Sequence, residues 1–231
     1  MDSLTTTQKG EVCILTLDDG KVNALSTDLI AAIHERLDAA EQSAQAVVIT
    51  GRPDRFSAGF NLKVMREGGP DVAIELVTAG GRLYLRFLEY PLPIVIGCTG
   101  HALAAGAIAL LTADYRVGAE GEYQIGLNET PIGMTLPEYG VEFARACLSK
   151  RYFDRAVVHG EIFDPQGALA AGYLDRVVAP DHVFDTALAE AERLARLPRG
   201  SFAGNKRKAH AATVAQVGPG IEADVRGLMG A

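Results

Sequence analysis

The stretch PIVIGCTGHALAAGAIALLTADYRV, residues 93–117, decides the predicted fold. Its apolar run Ile94–Cys98 predicts a buried strand. Small residues from about Ala104 onward predict a helix, and residues 114–117 predict a further short strand. A strand, a helix and a second strand in this order indicate an α/β domain.

The rest of the chain continues this alternation. Strands are predicted at Val12–Leu17 and over residues 46–50 and 123–125. Ser26 is a helix N-cap for a helix that ends near Glu41, and Gly68-Gly69-Pro70 precedes a helix over residues 71–89. Beyond Pro137 the pattern is helical except at Arg176–Val178. We therefore predict a core domain over residues 1–198 and a shortened helical C-terminal region over residues 199–231.

Composition excludes several classes of function. The 231 residues carry a net charge of −7, and no basic stripe interleaved with aromatic residues is visible, so nucleic acid is not an expected partner. No apolar run reaches the roughly 18–20 residues that span a bilayer, and the start lacks a secretion signal. The three cysteines have no metal-ligand spacing. We expect a cytoplasmic protein that binds neither membranes nor a metal ion.

The first stretch that could form part of a functional site is FSAGFNLK, residues 56–63. Ser57, Ala58 and Gly59 have so little side chain that a ligand could approach the backbone, and the Phe60 N–H could donate to it. A tight surface turn is the alternative explanation of these small residues.

The second stretch is HALAAGA, residues 101–107, between the buried strand and the helix. Free N–H groups and the positive end of a helix dipole meet at a helix start. Close packing of helix on strand also requires small residues, and it remains an alternative.

The third stretch is GLNETPIGM, residues 126–134, where Glu129 stands between Leu127 and Ile132. A carboxylate in an apolar pocket gains base strength because burial raises its pKa. The alternative is an ordinary exposed glutamate on a loop.

Together the stretches resemble the crotonase family, the enoyl-CoA hydratases and isomerases. Residues 23–26 (NALS) are similar to its early NAL motif, and residues 56–63 to its F-x-A-G-x-[DN]-L-K loop. Residues 93–116 resemble its P-x-I-x-x-x-x-G-x-A-x-x-G…A-D-x-R segment, and residues 163–178 its F-x-x-x-x-A-x-x-x-G-x-x-D-x-V-V segment. The resemblance implies a crotonase-like spiral of repeated ββα units with a helical C-terminal region, assembled as a homotrimer or hexamer.

The resemblance also implies an acyl-CoA thioester substrate and assigns the site. The amides of Phe60 and Ala105 would form an oxyanion hole for the thioester oxygen, and Glu129 would be the acid/base. No separate cofactor is implied, because coenzyme A is part of the substrate. Substrate and CoA contacts are expected at Lys21, Asn23, Ala24, Ala58, Asn61, Leu62, Lys63, Leu103 and Met134.

One departure from the family pattern bears on the reaction. Hydratases carry two glutamates, and Ile108 stands where the first is expected, so only Glu129 remains. Residues 126–130 (GLNET) resemble the mitochondrial Δ3,Δ2-enoyl-CoA isomerases, and the sequence predicts an isomerase. An enoyl-CoA hydratase of fatty-acid β-oxidation and a non-catalytic CoA-thioester-binding protein are the alternatives.

For several other residues the sequence suggests candidate roles without deciding between them. Glu138 is a weaker candidate for a second acid, because acidic residues are common at helix starts. His101 is either a packed histidine or a base, Asp114 is expected to brace backbone amides near the hole, and Arg66 is a further candidate for the CoA phosphates. Family members continue past the position of Ala231 with helices over the acyl site, so we expect a shortened cover there.

Overall fold

The computed structural model describes residues 3–230. Residues 1, 2 and 231, which the predicted domain bounds include, lie outside this range. The strands in this range are β1 (Leu4–Lys9), β2 (Val12–Leu17), β3 (Ala46–Gly51), β4 (Asp54–Ser57), β5 (Ile94–Cys98), β6 (Gly100–Leu103), β7 (Tyr115–Ala119), β8 (Ile125–Gly126) and β9 (Arg176–Val178). The α-helices are α1 (Thr27–Ser43), α2 (Leu62–Glu89), α3 (Ala105–Thr112), α4 (Glu138–Cys147), α5 (Lys150–Val157), α6 (Pro165–Ala171), α7 (Val183–Ala195), α8 (Arg199–Val217) and α9 (Ile221–Leu228).

A six-stranded sheet in the order β1-β2-β3-β5-β7-β9 forms the centre of the molecule. Only β1 is antiparallel to its neighbour, and the remaining pairs are parallel. Every residue of β3 and β5 is buried, as expected for parallel strands covered on both faces. One face packs against α7, and the other packs against α1, α2 and α3.

A second sheet contains the three parallel strands β4, β6 and β8. The chain visits the two sheets alternately: β3, β4 and α2 form one unit, β5, β6 and α3 the next, and β7, β8 and α4 the third. This is the predicted spiral of ββα units, and the α/β class is confirmed.

The small sheet positions all three stretches that the sequence singled out. Ala58 follows β4, Ala104 follows β6, and Leu127 follows β8. Because the strands are parallel, their carboxyl ends lie at the same edge of the sheet, where ligands commonly bind in α/β proteins. Residues far apart in the sequence therefore meet at this edge.

Several local predictions need correction. Strand β1 was not predicted because it is a polar edge strand of which only Leu4 is buried. The helix predicted to begin after Gly68-Gly69-Pro70 begins earlier, because residues 62–70 belong to α2, which is kinked at Gly69 (φ 77°). Residues 123–125 do not form a strand together: β8 begins at Ile125, and the Tyr123 hydroxyl donates instead to Asp54 Oδ1 at 2.6 Å.

Helix α8 is anchored to the core by an ion pair in which the lysine is buried and the aspartate is half-buried. Lys206 Nζ lies 2.6 Å from Asp114 Oδ2, which also accepts the Ile94 N–H at 2.8 Å. Asp114 thus braces one backbone amide, at the start of β5, and not the amides of the predicted hole. Beyond α8 the chain turns at Gly218–Gly220 into α9, which packs against α2 and α4. Within residues 3–230 no helix has the length and apolar character needed to cross a bilayer.

Candidate active site

The first stretch holds the Phe60 amide in a fixed position with its N–H free. The Leu25 N–H donates to the Gly59 carbonyl at 2.8 Å, and the Asn61 N–H donates to the Leu25 carbonyl at 2.9 Å. These bonds fix the backbone on both sides of Phe60. The Phe60 N–H itself has no hydrogen-bond acceptor within residues 3–230. It is therefore available to a ligand.

The second stretch presents the Ala105 amide in the same way. Ala104 has φ 50° and ψ −122°, a conformation that costs a non-glycine residue about 1–3 kcal/mol. This residue turns the chain from β6 into α3, which starts at Ala105 without a side-chain cap. The Ala105 N–H also lacks an acceptor among the described residues. The strained turn thus leaves a free N–H at the positive end of α3.

The two amides are close because of Gly59. A Cβ atom placed on Gly59, which has φ +91°, would lie 3.1 Å from the Ala105 nitrogen and 3.0 Å from the Leu103 carbonyl oxygen. Only glycine combines this backbone conformation with so close an approach. The loop after β4 therefore rests directly on the start of α3.

Glu129 is 7% exposed, and it follows β8 at the edge of the small sheet where β4 and β6 also end. Its Oε2 atom has no hydrogen-bond partner among the described residues, and burial raises its pKa to about 7. The Ile132 and Met134 N–H groups donate to its backbone carbonyl at 3.1 and 2.9 Å, which fixes the turn. Glu129 is therefore a buried acid and not an ordinary exposed glutamate on a loop.

Three buried tyrosines that the sequence did not indicate lie near enough to Glu129 for its charge to affect their pKa. Burial is the main cause that raises the pKa of Tyr84, Tyr139 and Tyr173. Nearby negative charge, including that of Glu129, raises it further. The Tyr84 hydroxyl donates to the Ala105 carbonyl at 2.6 Å and so connects the acid's surroundings with the start of α3. In the sequence these aromatic residues resemble ordinary core positions, and no local motif marks them.

The predicted contacts of the ligand are distributed around the same edge. Asn23 is 1% exposed, and its side chain makes four hydrogen bonds within the protein, to the backbone of residues 17, 19, 55 and 56. Asn61 caps α2 by accepting the Val64 N–H. Ala24 and Leu103 are half-buried and Ala58 is exposed. Leu62 and Met134 line one groove beside the site.

The cations among these candidates lie at the surface. Lys21 is exposed on the loop before Asn23, and the Lys63 side chain is 78% exposed, with its Nζ 4.0 Å from Glu67 Oε1. Both are accessible to an anionic ligand. Neither is brought into contact with Glu129.

The remaining acid/base candidates are not brought to the amides. His101 Nδ1 accepts the Gln124 N–H at 3.1 Å, and its ring meets Tyr123 edge-on, as expected for a packed histidine. Glu138 is exposed at the first position of α4. Ile108 is 1% exposed in α3 and belongs to the core. No second carboxylate replaces it there.

The raised pKa of Glu129 predicts how stability depends on pH. Between the ordinary value of 4.5 and about 7, the folded state binds more protons than the unfolded state, so the free energy of unfolding falls as pH rises. We expect a loss on the order of 3 kcal/mol across this window. Glu129→Gln should abolish the loss, as measured by denaturant unfolding at about pH 4 and about pH 8. Glu35→Gln, on the exposed side of α1, is the control and should unfold like the unmodified protein. Identical pH dependence with and without Glu129 would contradict the buried state of this acid.

Comparison with known sequences identifies the family. The sequence profile described as "Enoyl-CoA hydratase/isomerase" matches residues 7–228. The chain belongs to this family. Enoyl-CoA hydratase/isomerase proteins are enzymes, and an acyl-CoA thioester is the substrate expected for them, which confirms the broad functional prediction.

Individual members of the enoyl-CoA hydratase/isomerase family agree with this assignment. The human mitochondrial enoyl-CoA delta isomerase 1 is 30% identical over 222 residues, which cover 94% of this chain and 74% of the human protein. A crystal structure of an enoyl-CoA hydratase/isomerase family protein from Pseudomonas syringae superposes with a TM-score of 0.95 at 42% identity, covering 98% of each chain. The structure of enoyl-CoA hydratase EchA3 from Mycobacterium ulcerans has a TM-score of 0.91 at 35% identity, covering 99% of this chain and 98% of that one. Some of these relatives are named as isomerases and others as hydratases.

Proposed function

We propose that the protein is a Δ3,Δ2-enoyl-CoA isomerase, which moves the double bond of a 3-enoyl-CoA to the 2-position. The observation that carries the proposal is the count of buried acids. Among residues 3–230, Glu129 is the only buried aspartate or glutamate, and the apolar Ile108 stands where a hydratase would have its other glutamate. One acid suffices for a reaction that removes a proton and returns it.

The proposed reaction begins at C2 of the substrate. The Glu129 carboxylate takes a C2 proton, and the electrons of that C–H bond form a dienolate with negative charge on the thioester oxygen. The Phe60 and Ala105 N–H groups, both free of internal acceptors, would donate to this oxygen. The protonated Glu129 then delivers its proton to C4 while the double bond forms between C2 and C3. The proton is conserved, and no water is consumed.

The surroundings of Glu129 suit both halves of this cycle. An acid/base is most effective when its pKa lies near the working pH, and burial raises the pKa of Glu129 to about 7. The carboxylate is then basic enough to remove the proton, and the resulting acid still releases it readily.

Hydration of a 2-enoyl-CoA is the second candidate, supported by relatives whose names include hydratase. That reaction needs a positioned water and a proton donor besides Glu129. The Ile108 side chain offers no hydrogen bond to a water, and Glu138 lies exposed at the start of α4. The geometry therefore favours isomerisation.

A direct assay tests the proposal. The protein is incubated separately with 3-enoyl-CoA and 2-enoyl-CoA, and products are followed by the ultraviolet absorbance of the conjugated thioester and by mass. We expect the 3-enoyl substrate to become conjugated at unchanged mass. Gain of one water by the 2-enoyl substrate at a comparable rate would identify a hydratase, and turnover of neither would contradict both candidates.

The same proposal extends to binding and assembly. We propose that Lys21 and Lys63 contact the CoA phosphates, and that backbone and small side chains of Asn23, Ala24, Ala58, Asn61 and Leu103 border the pantetheine arm. Leu62 and Met134 would contact the acyl chain. A cytoplasmic homotrimer or hexamer is proposed from the family resemblance.

A further inference from the structure

A groove of about 500 Å³ lies between the first half of α2, the turn after Glu129 and the end of α9. Five of its lining residues, Leu62, Met65, Arg66, Gly69 and Ala73, belong to α2 and lie at or on either side of its kink. Its apolar lining includes Leu62, Ile132 and the methionines Met65, Met134 and Met229. Methionines adapt to ligands of different shape, so this surface suits a flexible hydrocarbon chain.

Several residues that line the groove are neighbours, along the chain, of the proposed catalytic groups. Leu62 stands two residues after Phe60. Ile132 and Met134 belong to the turn whose N–H groups donate to the Glu129 carbonyl. An acyl chain whose thioester oxygen is held by the amides would therefore have its far end in this groove.

Arg66 is the one charged residue among those that line the groove. Within residues 3–230 no carboxylate lies within 4.0 Å of its guanidinium, whereas its neighbour Lys63 is within that distance of Glu67. The guanidinium can donate two parallel hydrogen bonds to a carboxylate, a geometry for which arginine is well suited. Arg66 is exposed, so water solvates its guanidinium when a methyl-ended chain is bound, whereas a terminal carboxylate could form an ion pair with it.

We propose that the groove binds acyl chains that end in a carboxylate, with Arg66 as the residue that recognises it. The inference rests on the proposed function, because the acyl end must enter the groove from the thioester site. It specifies the substrate class: CoA thioesters of unsaturated dicarboxylic acids. Arg66 is then a specificity residue and has no part in proton transfer.

The test compares matched substrates in the full-length protein. The ratio kcat/KM is measured for 3-hexenoyl-CoA and 3-octenoyl-CoA and for the corresponding hexenedioyl and octenedioyl thioesters. We expect the unmodified protein to prefer at least one diacid over the monoacid of equal length. Arg66→Met should lower kcat/KM for that diacid by about tenfold, as a rise in KM, and leave the monoacids within about twofold.

Control variants separate this role from a general effect of charge. Arg66→Lys retains the charge without the paired donors and should lie between the unmodified protein and Arg66→Met. Arg36→Met removes an exposed arginine on α1 and should change neither substrate class. Equal losses for monoacids and diacids in Arg66→Met would indicate contact with the CoA phosphates and would overturn the inference, and so would no change for either.

A binding measurement distinguishes failure of this inference from failure of the proposed reaction. Calorimetry with saturated hexanoyl-CoA and the matching adipyl thioester reports the preference without turnover. Tighter binding of the diacid that disappears in Arg66→Met supports the inference even if no double bond moves. Equal affinities overturn it even if the isomerase assay succeeds.

Discussion

Glu129→Gln is expected to lower kcat for 3-enoyl-CoA isomerisation by about 10²–10⁴-fold. Glutamine has the size of glutamate and is neutral, as protonated Glu129 is, but it cannot accept the C2 proton. Because Glu129 Oε2 has no hydrogen-bond partner among the described residues, the substitution removes no hydrogen bond at that atom. The loss should therefore appear in kcat, with KM changed by less than about threefold.

The measurement combines steady-state kinetics with a pH profile. In the unmodified protein kcat/KM should rise with pH and level off above about 7, because Glu129 must lose its proton to act as a base. Glu138→Gln, which alters an exposed acid at the start of α4, is the matched control and should retain both rate and profile. A Glu129→Gln variant with more than about a tenth of the original rate would show that another group removes the proton.

The parts of the site that the sequence predicted are those set by local chemistry. Ser26 was identified as an N-cap, and its Oγ accepts the Leu29 N–H. Gly59 and Ala104-Ala105-Gly106 were recognised because a backbone that others approach closely requires small residues. The stretches meet because β4, β6 and β8 are parallel, an arrangement that the sequence did not predict.

The parts that the sequence did not predict depend on contacts between distant elements. Tyr84 comes from α2, Tyr139 from α4, and Tyr173 follows α6, and each has the spacing of a core residue in its own segment. Their convergence on Glu129 follows from how the helices pack. The short strand β6 was likewise hidden, because its four residues (GHAL) have no alternating pattern and pair only with equally short neighbours.

Gly59→Ala is expected to lower kcat/KM by about 10²–10³-fold, the cost typical of losing one donor of an oxyanion hole. The new Cβ would lie 2.9 Å from the Ala104 Cβ and 3.1 Å from the Ala105 nitrogen, distances that real Cβ atoms rarely tolerate. The loop after β4 must therefore move away from α3, which carries the Phe60 N–H out of alignment with the Ala105 N–H. Because the two donors act on charge that develops in the transition state, the fall should be larger in kcat than in KM.

A second glycine separates this displacement from simple backbone strain. Gly10, in the turn between β1 and β2, also has a positive φ (54°), but a Cβ there would meet no atom within 4 Å. Gly10→Ala should therefore cost about 1 kcal/mol of stability through strain and leave kcat/KM unchanged. If Gly59→Ala behaved in the same way, with reduced unfolding free energy and full activity, the paired amides would not be the groups that stabilise the enolate. A Gly59→Ala variant that remains folded but loses most of its kcat/KM would instead show that the rate depends on the contact between this loop and the start of α3.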